Sequence, residues 1–200
     1  MKTKSLLIIL TILMIVMTSV AQVTSTFNDS INKKTYKTVK IGTQTWMAEN
    51  LANKPASGSF WVYDNNQGNE AIYGFLYDWE TAKNVCPSGW HLPGDEEWKT
   101  LMTFLGGKGV AGGKLKETGL THWVKPNTDA SNSSGFSALP GGGRDANGRY
   151  NNIGGYGMWW SSSGARPGCA RLWYMAYRYS DAGRGQTVKT NSLSVRCIKN

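Results

Sequence analysis

Few stretches of this chain carry the periodicity of a helix or a strand, and that scarcity limits the folds open to it. Residues 131–157 are rich in glycine, asparagine and serine, which are typical of turns. Such a chain must satisfy its backbone polar groups in turns and side-chain hydrogen bonds. Nine tryptophans and nine tyrosines can fill a core where regular elements are scarce. The sequence therefore predicts a loop-rich domain with an aromatic core.

The first 21 residues have the composition of an export signal. Lys2 and Lys4 precede an apolar run over residues 6–17, and small residues, Ser19 and Ala21, stand third and first before Gln22. The run is shorter than the roughly 20 residues that cross a membrane. We therefore expect a signal peptide over residues 1–21 and a secreted, periplasmic or cell-surface protein with no membrane span after its removal.

The chain is basic, with a formal charge of +9. Its cations are scattered rather than clustered, as these lysines show: Lys33, Lys34, Lys37, Lys40, Lys54, Lys83, Lys99, Lys108, Lys114 and Lys116. Scattered cations predict a solvated basic surface, or attraction to an anionic polysaccharide or cell-surface polymer. Because an exported protein rarely meets nucleic acid, we do not expect nucleic acid as a partner.

Local patterns predict a hairpin and three helical segments. Alternation over residues 36–41, followed by Gly42, predicts a β-hairpin. Residues 74–84 have helical spacing of their apolar side chains. Residues 95–105 open with three acids, which favour a helix N-terminus, and a short helix is expected over residues 110–116. The 95–105 helix has one apolar face, formed by Trp98, Leu101, Met102 and Leu105.

The remaining pattern indicates one domain over residues 36–200, preceded by a flexible N-terminal lead-in over residues 22–35. Residues 158–161 and 172–179 are predicted to be short strands. Residues 193–198 alternate between apolar and polar side chains, which predicts a last strand.

Three cysteines, Cys86, Cys169 and Cys197, constrain the fold of an exported chain. In an oxidising compartment one disulfide is expected, and one thiol is left over. The spacing alone permits three pairings.

Several blocks along the chain match a known family in sequence and in order. The longest are Trp46-Met47-Ala48-Glu49-Asn50-Leu51, Cys86-Pro87-Ser88-Gly89-Trp90-His91-Leu92-Pro93 and Gly135-Phe136-Ser137-Ala138-Leu139-Pro140-Gly141-Gly142. Shorter ones lie at residues 36–42, 73–77, 111–117, 159–162 and 194–197. The chain resembles the Fibrobacter succinogenes major paralogous domain, a bacterial exported module, from about residue 36 to residue 199.

This resemblance implies an α+β, C-type-lectin-like fold with two short helices, small antiparallel sheets and long loops. It implies no activity. It also implies a disulfide between Cys86 and Cys197, which leaves Cys169 unpaired. The fold is similar to that of the formylglycine-generating enzymes, which hold copper with two cysteines. An alternative hypothesis is therefore a copper-dependent thiol oxidase that uses Cys169 and Cys197, both free.

Other candidate sites are weak. His91 and His122 each lie beside a tryptophan, and we interpret His91 as a packed, hydrogen-bonded core residue rather than a base. Pro126 and Asn127 resemble part of a lectin calcium loop, but Lys125 stands where an acidic ligand is needed. The segment at residues 145–148 is predicted to form an Asx turn. We therefore expect no catalytic residues, no metal and no cofactor.

The candidate binding region is the set of Tyr/Arg-rich loops over residues 144–192, in which the aromatic residues lie between residues 150 and 179. Tyrosine, arginine, glycine, serine and asparagine together are typical of binding loops. Three tryptophans, Trp159, Trp160 and Trp173, are assigned to the core. The candidate ligand-binding residues are Tyr150, Tyr156, Tyr177, Arg178 and Tyr179.

Together these features predict a monomeric, non-catalytic binding module for a polysaccharide or a cell-surface protein. A structural component of the cell surface is a third possibility.

Overall fold

The computed structural model describes residues 24–200, so the signal peptide expected over residues 1–21 lies outside the described part. The described chain is α+β, as the resemblance implies, but the expectation of two short helices is wrong, because residues 24–200 contain four α-helices. The strands are β1 (Thr24–Asp29), β2 (Lys34–Ile41), β3 (Gln44–Met47), β4 (Phe60–Trp61), β5 (Leu76–Tyr77), β6 (Trp90–His91), β7 (Gly141–Arg144), β8 (Tyr150–Ile153), β9 (Tyr156–Gly164), β10 (Cys169–Ala176), β11 (Ala182–Val188), β12 (Leu193–Ser194) and β13 (Ile198–Lys199). The helices are α1 (Gly68–Tyr73), α2 (Trp79–Ala82), α3 (Asp95–Phe104) and α4 (Lys108–Leu115), with a 3-10 turn at Tyr63–Asn65.

Regular structure begins earlier than the sequence predicts. Within the expected lead-in over residues 22–35, β1 forms and pairs antiparallel with β2. Phe27 lies opposite Tyr36 in this pair and packs against Trp90, with ring centroids 5.2 Å apart. The Asp29 carboxylate accepts the N–H of Ile31 at 3.0 Å and turns the chain into β2. The Phe27–Trp90 contact and the turn stabilised by Asp29 therefore order the polar segment that contains β1.

The first sheet has the strand order β1-β2-β3-β13-β6. Its β2–β3 hairpin confirms the prediction, because Ile41 pairs with Gln44 and the two turn residues include Gly42 at φ 61°. A positive φ at this position favours glycine over any residue with a Cβ.

The second sheet has the main-path order β11-β10-β9-β12-β5-β4. Its centre is the meander of β9, β10 and β11, in which β10 is antiparallel to both neighbours. The β7–β8 hairpin joins this sheet through a parallel contact between β7 and β9.

The predicted helix at residues 95–105 is confirmed as α3. Its Trp98, Leu101 and Met102 are buried. The Glu97 carboxylate accepts the N–H of Gly94 at 2.7 Å, and Ser163 Oγ accepts the N–H of Asp95 at 3.0 Å. These side chains satisfy two donors at the helix start, which otherwise have no partner. The short helix expected over residues 110–116 is also present, as α4.

The helix expected over residues 74–84 is wrong for its first half. Leu76 lies in β5, which pairs with β4 and β12, and only Trp79–Ala82 is helical. Gly74 has φ 70° and interrupts a helix there, and the Asp78 carboxylate caps α2 by accepting the N–H of Thr81 at 2.8 Å. Sheet pairing therefore outweighs the helical spacing.

The predicted last strand is two strands in different sheets. Ser194 pairs in β12 with the second sheet, and Ile198 pairs in β13 with the first. Between them Val195, Arg196 and Cys197 are all buried. The C-terminal segment thus crosses from one sheet to the other through the interior.

Arg196 is the polar centre of this crossing. Its guanidinium is fully buried and donates to Asn50 Oδ1 at 2.9 Å and to the carbonyl oxygens of Met47 and Phe136. Asn50 Oδ1 also accepts the Trp159 Nε1–H at 2.8 Å. Burial lowers the pKa of Arg196 to about 9. Asn50 and Arg196 therefore join three distant parts of the chain by hydrogen bonds rather than by an ion pair.

The core lies on both faces of the central meander. Trp159 and Trp173 belong to one apolar cluster, and Trp160 and Leu172 belong to the other. All three tryptophans are fully buried, which confirms their assignment to the core. Strand alternation explains the division, because neighbouring side chains point to opposite faces.

A disulfide joins Cys86 to Cys197, as the resemblance implies, and Cys169 is a buried free thiol. The bond links positions 111 residues apart. In the chain-entropy model a loop of that size contributes about 4–5 kcal/mol. None of the helices in residues 24–200 has the length and apolarity to span a membrane.

Candidate functional site

A groove lies on the face of the meander that carries the tyrosines. Tyr156 and Met158 of β9 point to the same face as Leu172 and Tyr174 of β10, because Met158 pairs with Tyr174 across the two strands. The groove has a volume of about 480 Å³. Tyr179, which is 58% exposed, lines the same groove from the turn that follows β10. Three tyrosine side chains therefore converge on one concave surface.

Tyr174 lies at the centre of the groove against a glycine. A Cβ built on Gly183 of β11 would lie 2.0 Å from Cζ of the Tyr174 ring. The ring therefore packs directly on the β11 backbone, and only glycine leaves room for it. The Tyr156 ring is 6.3 Å away by centroid, at 47°. Backbone packing thus holds Tyr174 in place beside a second ring.

The hydroxyl groups of Tyr156, Tyr174 and Tyr179 make no hydrogen bond to another described residue. By contrast, the Tyr77 hydroxyl is buried and donates to the Asn53 carbonyl oxygen at 2.7 Å. The groove therefore presents ring faces and hydrogen-bonding groups that the fold itself does not use.

A buried lysine anchors the turn that carries Tyr179. Lys116 Nζ donates to the carbonyl oxygens of Tyr179 at 2.8 Å, Thr128 at 2.9 Å and Ala176 at 3.2 Å. Burial lowers the pKa of Lys116 to about 8. The expectation of a solvated surface is wrong for Lys116, which is completely inaccessible. Its stem and charge are used to fix the turn at the edge of the groove.

A smaller cavity of about 220 Å³ extends the groove toward the β7–β8 hairpin. The two cavities share Asn152, Met158, Leu172 and Thr187 in their walls. Its wall also includes Arg144, Asp145 and Asn191.

The structure divides the five candidate binding residues. Tyr156 and Tyr179 line the groove. Tyr150 packs against Tyr63, with centroids 5.1 Å apart, and donates its hydroxyl hydrogen to Asn65. Tyr177 packs against the core cluster that contains Trp173, on the face opposite the groove, and Arg178 lies over the Tyr177 ring.

One groove tyrosine, Tyr174, lies within the predicted binding loops over residues 144–192 but is missing from the five candidate residues. The signal for Tyr174 is its alternation with Trp173, which places one ring in the core and the next outside it.

Both histidines are paired with carboxylates. His91 Nε2 lies 2.8 Å from Glu97 Oε1, and its Nδ1 lies 2.7 Å from Asn200 Oδ1. The hydrogen bonding of His91 is as predicted, but its side chain is 42% exposed and is not a core residue. His122 Nδ1 lies 2.8 Å from Glu117 Oε2.

Two other cavities are lined by polar groups that the fold already uses. The first, about 660 Å³, lies beside Cys86. In its wall, Asp29 accepts hydrogen bonds from Asn32 and Asn53, and Asp78 caps α2. The second, about 450 Å³, contains the Glu117–His122 pair. We therefore place the candidate site in the tyrosine groove.

The predicted Asx turn is confirmed, because Asp145 Oδ1 accepts the N–H groups of Asn147 and Arg149, both at 2.9 Å. Asn127 donates its side-chain amide to the carbonyl oxygens of Glu117 and Gly119. Nowhere in residues 24–200 do three histidine, cysteine, aspartate or glutamate side chains form a group able to hold a metal ion.

The comparisons with known proteins identify the family. The model of the Fibrobacter succinogenes major domain matches residues 39–199. No curated protein and no solved structure matches the chain significantly. The match includes every strand of the meander and the disulfide. The chain therefore belongs to the Fibrobacter succinogenes major domain family.

Proposed function

We propose that this chain is an exported, monomeric, non-catalytic module that binds polysaccharide at the cell surface through the tyrosine groove. One observation carries the proposal: Tyr156, Tyr174 and Tyr179 converge on one surface with their hydroxyl groups unused by the fold. The faces of sugar rings carry C–H groups that pack on aromatic rings, and the ring edges carry hydroxyls. The groove offers partners for both.

The rigidity of the groove supports binding. Tyr174 is held by the β11 backbone, and Lys116 fixes the turn of Tyr179. Ordering a side chain on binding costs about 0.5–1.5 kcal/mol, so a side chain that is already ordered avoids this cost. A groove of about 480 Å³ is also within the size range of small-ligand sites.

We also propose a C-type-lectin-like fold for residues 36–200, with export by a signal peptide over residues 1–21. The tie between Cys86 and the C-terminal strand segment supports that fold. It also supports export, because disulfides persist in oxidising compartments. The alternative of a copper-dependent thiol oxidase needs Cys169 and Cys197 both free, and Cys197 is bonded to Cys86.

The experiment is affinity electrophoresis of the oxidised protein in gels that contain neutral or acidic soluble polysaccharides. We expect at least one polymer to retard the protein, with no change after addition of a chelator. Tyr174→Ala should raise the Kd about tenfold, which corresponds to about 1.4 kcal/mol. Phe104→Ala is the matched control, because Phe104 is 63% exposed on α3 and lies outside the groove.

Two results would overturn the proposal. No retardation by any polymer rejects polysaccharide and leaves a protein partner as the alternative. Equal retardation of wild type and Tyr174→Ala rejects the groove as the binding site.

A further inference from the structure

The charge of the tyrosine groove differs from that of the chain as a whole. The chain has a formal charge of +9, yet no lysine or arginine of residues 24–200 lines the groove of about 480 Å³. The charged side chain in its described wall is that of Asp181. Asp181 is exposed, and its carboxylate makes no hydrogen bond or ion pair with another described residue. The groove therefore combines three tyrosine rings with one negative charge that the fold does not use.

The register of β10 and β11 places Asp181 on the groove side of the sheet. Tyr174 pairs with Gly183, and a Cβ on Gly183 would meet the Tyr174 ring, so this position of β11 faces the groove. Asp181 precedes Gly183 by two residues, and side chains two residues apart in an extended segment point to the same face. The carboxylate and the Tyr174 ring therefore belong to one surface.

The backbone at Asp181 is held by α4. Gly113 donates its N–H to the Ser180 carbonyl oxygen at 2.8 Å. A Cβ built on Gly112 would overlap the Asp181 carbonyl oxygen, so the helix packs directly on this backbone. Lys116 holds the turn just before it. The carboxylate therefore projects from a segment that is already ordered, and binding there loses little backbone freedom.

The cations near the groove are bound elsewhere in the fold. Arg144 lies in the wall of the smaller cavity, but its guanidinium packs over the Trp61 ring at 4.3 Å, and Trp61 lines neither cavity. Arg178 lies over a ring on the opposite face of the meander. The charges of Lys116 and Asp181 attract each other through space, but the Lys116 ammonium is buried and donates to three carbonyl oxygens. Within the described chain, Asp181 thus has no cationic partner inside the groove.

From this arrangement we propose that the groove selects a polysaccharide that carries free amino groups, with an ammonium group at Asp181 and a sugar ring on Tyr174. The inference rests on the proposed function and adds the class of sugar. An ammonium group is attracted by a carboxylate and also by the face of an aromatic ring. Acetylation of the amine removes both attractions, and the carboxylate of an acidic sugar would be repelled by Asp181.

The test compares a glucosamine oligomer with the N-acetylglucosamine oligomer of the same length and linkage. Isothermal titration calorimetry measures both affinities at one mildly acidic pH, at which the sugar amines are charged. Wild type should bind the glucosamine oligomer at least about tenfold more tightly, a typical difference for one charge-assisted contact. The net positive charge of the protein favours the opposite order, because it repels a polycation. A preference for the free amine therefore reports a local site.

Asp181→Asn should lose this preference and keep its affinity for the acetylated oligomer, whereas Asp181→Glu, which keeps the charge, should retain most of the preference. Asp129→Asn is the matched control, because Asp129 is also exposed and also acts on Lys116 through space, but lies outside the groove. A thermal melt checks that each variant is folded. An equal loss of preference in Asp181→Asn and Asp129→Asn would mean that the charge acts through Lys116, and would overturn the inference.

The remaining outcomes separate the two proposals. Equal or weaker binding of the glucosamine oligomer by wild type, or an unchanged preference in Asp181→Asn, overturns the inference and leaves polysaccharide binding in place. If neither oligomer binds and a polysaccharide gel still retards the protein, only the inference fails. If neither oligomer binds and no polysaccharide retards the protein, the proposed function itself is overturned.

Discussion

Two adjacent residues of β10, Trp173 and Tyr174, show how the two faces of the meander differ. Trp173 is fully buried, stacks on Trp98 at 17° and donates its Nε1–H to Asp95 at 3.1 Å. Tyr174 is partly exposed, packs on Gly183 and has a hydroxyl without a partner in the described chain. The polar group of Trp173 is thus bonded within the fold, whereas the Tyr174 hydroxyl is left for another partner.

The comparison teaches that aromatic composition alone does not identify a binding surface. Strand alternation sends Trp159 and Trp173 to one face and Tyr156 and Tyr174 to the other. Trp160 shares the face of the tyrosines and is nevertheless fully buried. A buried polar atom normally has a partner, so a tyrosine hydroxyl that no part of the fold binds lies at the surface, where a ligand can reach it. Both faces therefore contribute to the core, through Trp173 on one side and Trp160 and Leu172 on the other, and we propose recognition only for the part of the second face that carries Tyr156 and Tyr174.

The largest expected effect comes from replacing Trp173 and Tyr174 by alanine, one at a time, and comparing the stability of the two variants. Trp173→Ala should lower the free energy of unfolding by about 3–5 kcal/mol, since it opens a cavity in a packed cluster. Tyr174→Ala should cost only about 1 kcal/mol, because its ring is partly exposed. Urea unfolding followed by circular dichroism measures both. Similar losses in the two variants would show that the faces are not distinct.

The pH dependence of stability sharpens the same comparison, because Asp95 supports the Trp173 face. Burial alone would raise the pKa of the Asp95 carboxyl, but hydrogen bonds from Arg184 and Trp173 outweigh burial and hold this pKa below its usual value of 3.8. Arg184 binds both carboxylate oxygens, at 2.8 and 2.7 Å. Asp95 therefore stabilises the fold fully above the unfolded-state pKa.

That stabilisation should disappear as pH falls through the lowered folded-state pKa, since protonation then removes the charge that Arg184 binds. Asp95→Asn should lose about 1–2 kcal/mol at neutral pH and flatten the acid limb of the stability curve. Glu96→Gln, which removes one exposed acid from the same helical turn, is the control for charge alone. If the stability of Asp95→Asn falls at low pH as steeply as that of the wild type, Asp95 is not the group whose protonation destabilises the fold.

Local patterns predict much of the buried face. The spacing of Trp98, Leu101 and Met102 identifies α3, and Gly42 identifies the first hairpin, because both signals lie within a few residues. The family blocks then supply the disulfide, whose two cysteines lie too far apart for any local pattern.

The groove depends on contacts between distant residues, so the sequence predicts it only in part. The predicted strand over residues 172–179 ends at Ala176, which sends Tyr177 to the core and Tyr179 to the groove. Lysines are assigned to the surface by default, yet Lys116 is buried because three carbonyl oxygens from two separate segments surround it. Neither outcome can be read from periodicity.

The last test changes the floor of the groove without touching an aromatic residue. In Gly183→Ala the new Cβ would overlap the Tyr174 ring, whereas in Gly185→Ala it would lie 3.6 Å from Leu172 and 3.8 Å from Tyr174, an ordinary contact. Gly183→Ala should lower the free energy of unfolding by about 1–3 kcal/mol, because the ring has to move, and Gly185→Ala should change it by less than about 1 kcal/mol. We expect Gly183→Ala to weaken polysaccharide binding about tenfold and Gly185→Ala about twofold or less.

The double variant Gly183→Ala with Tyr174→Ala decides why binding falls. Suppose that Gly183 affects binding only because it leaves room for the Tyr174 ring. In that case the double variant should bind no more weakly than Tyr174→Ala alone, because Tyr174→Ala already removes the ring that Gly183→Ala displaces. Additive losses would mean that β11 itself contacts the ligand. Wild-type affinity in Gly183→Ala would mean that the position of the ring is irrelevant, and the distinction between the two faces of β10 would then lose its functional meaning.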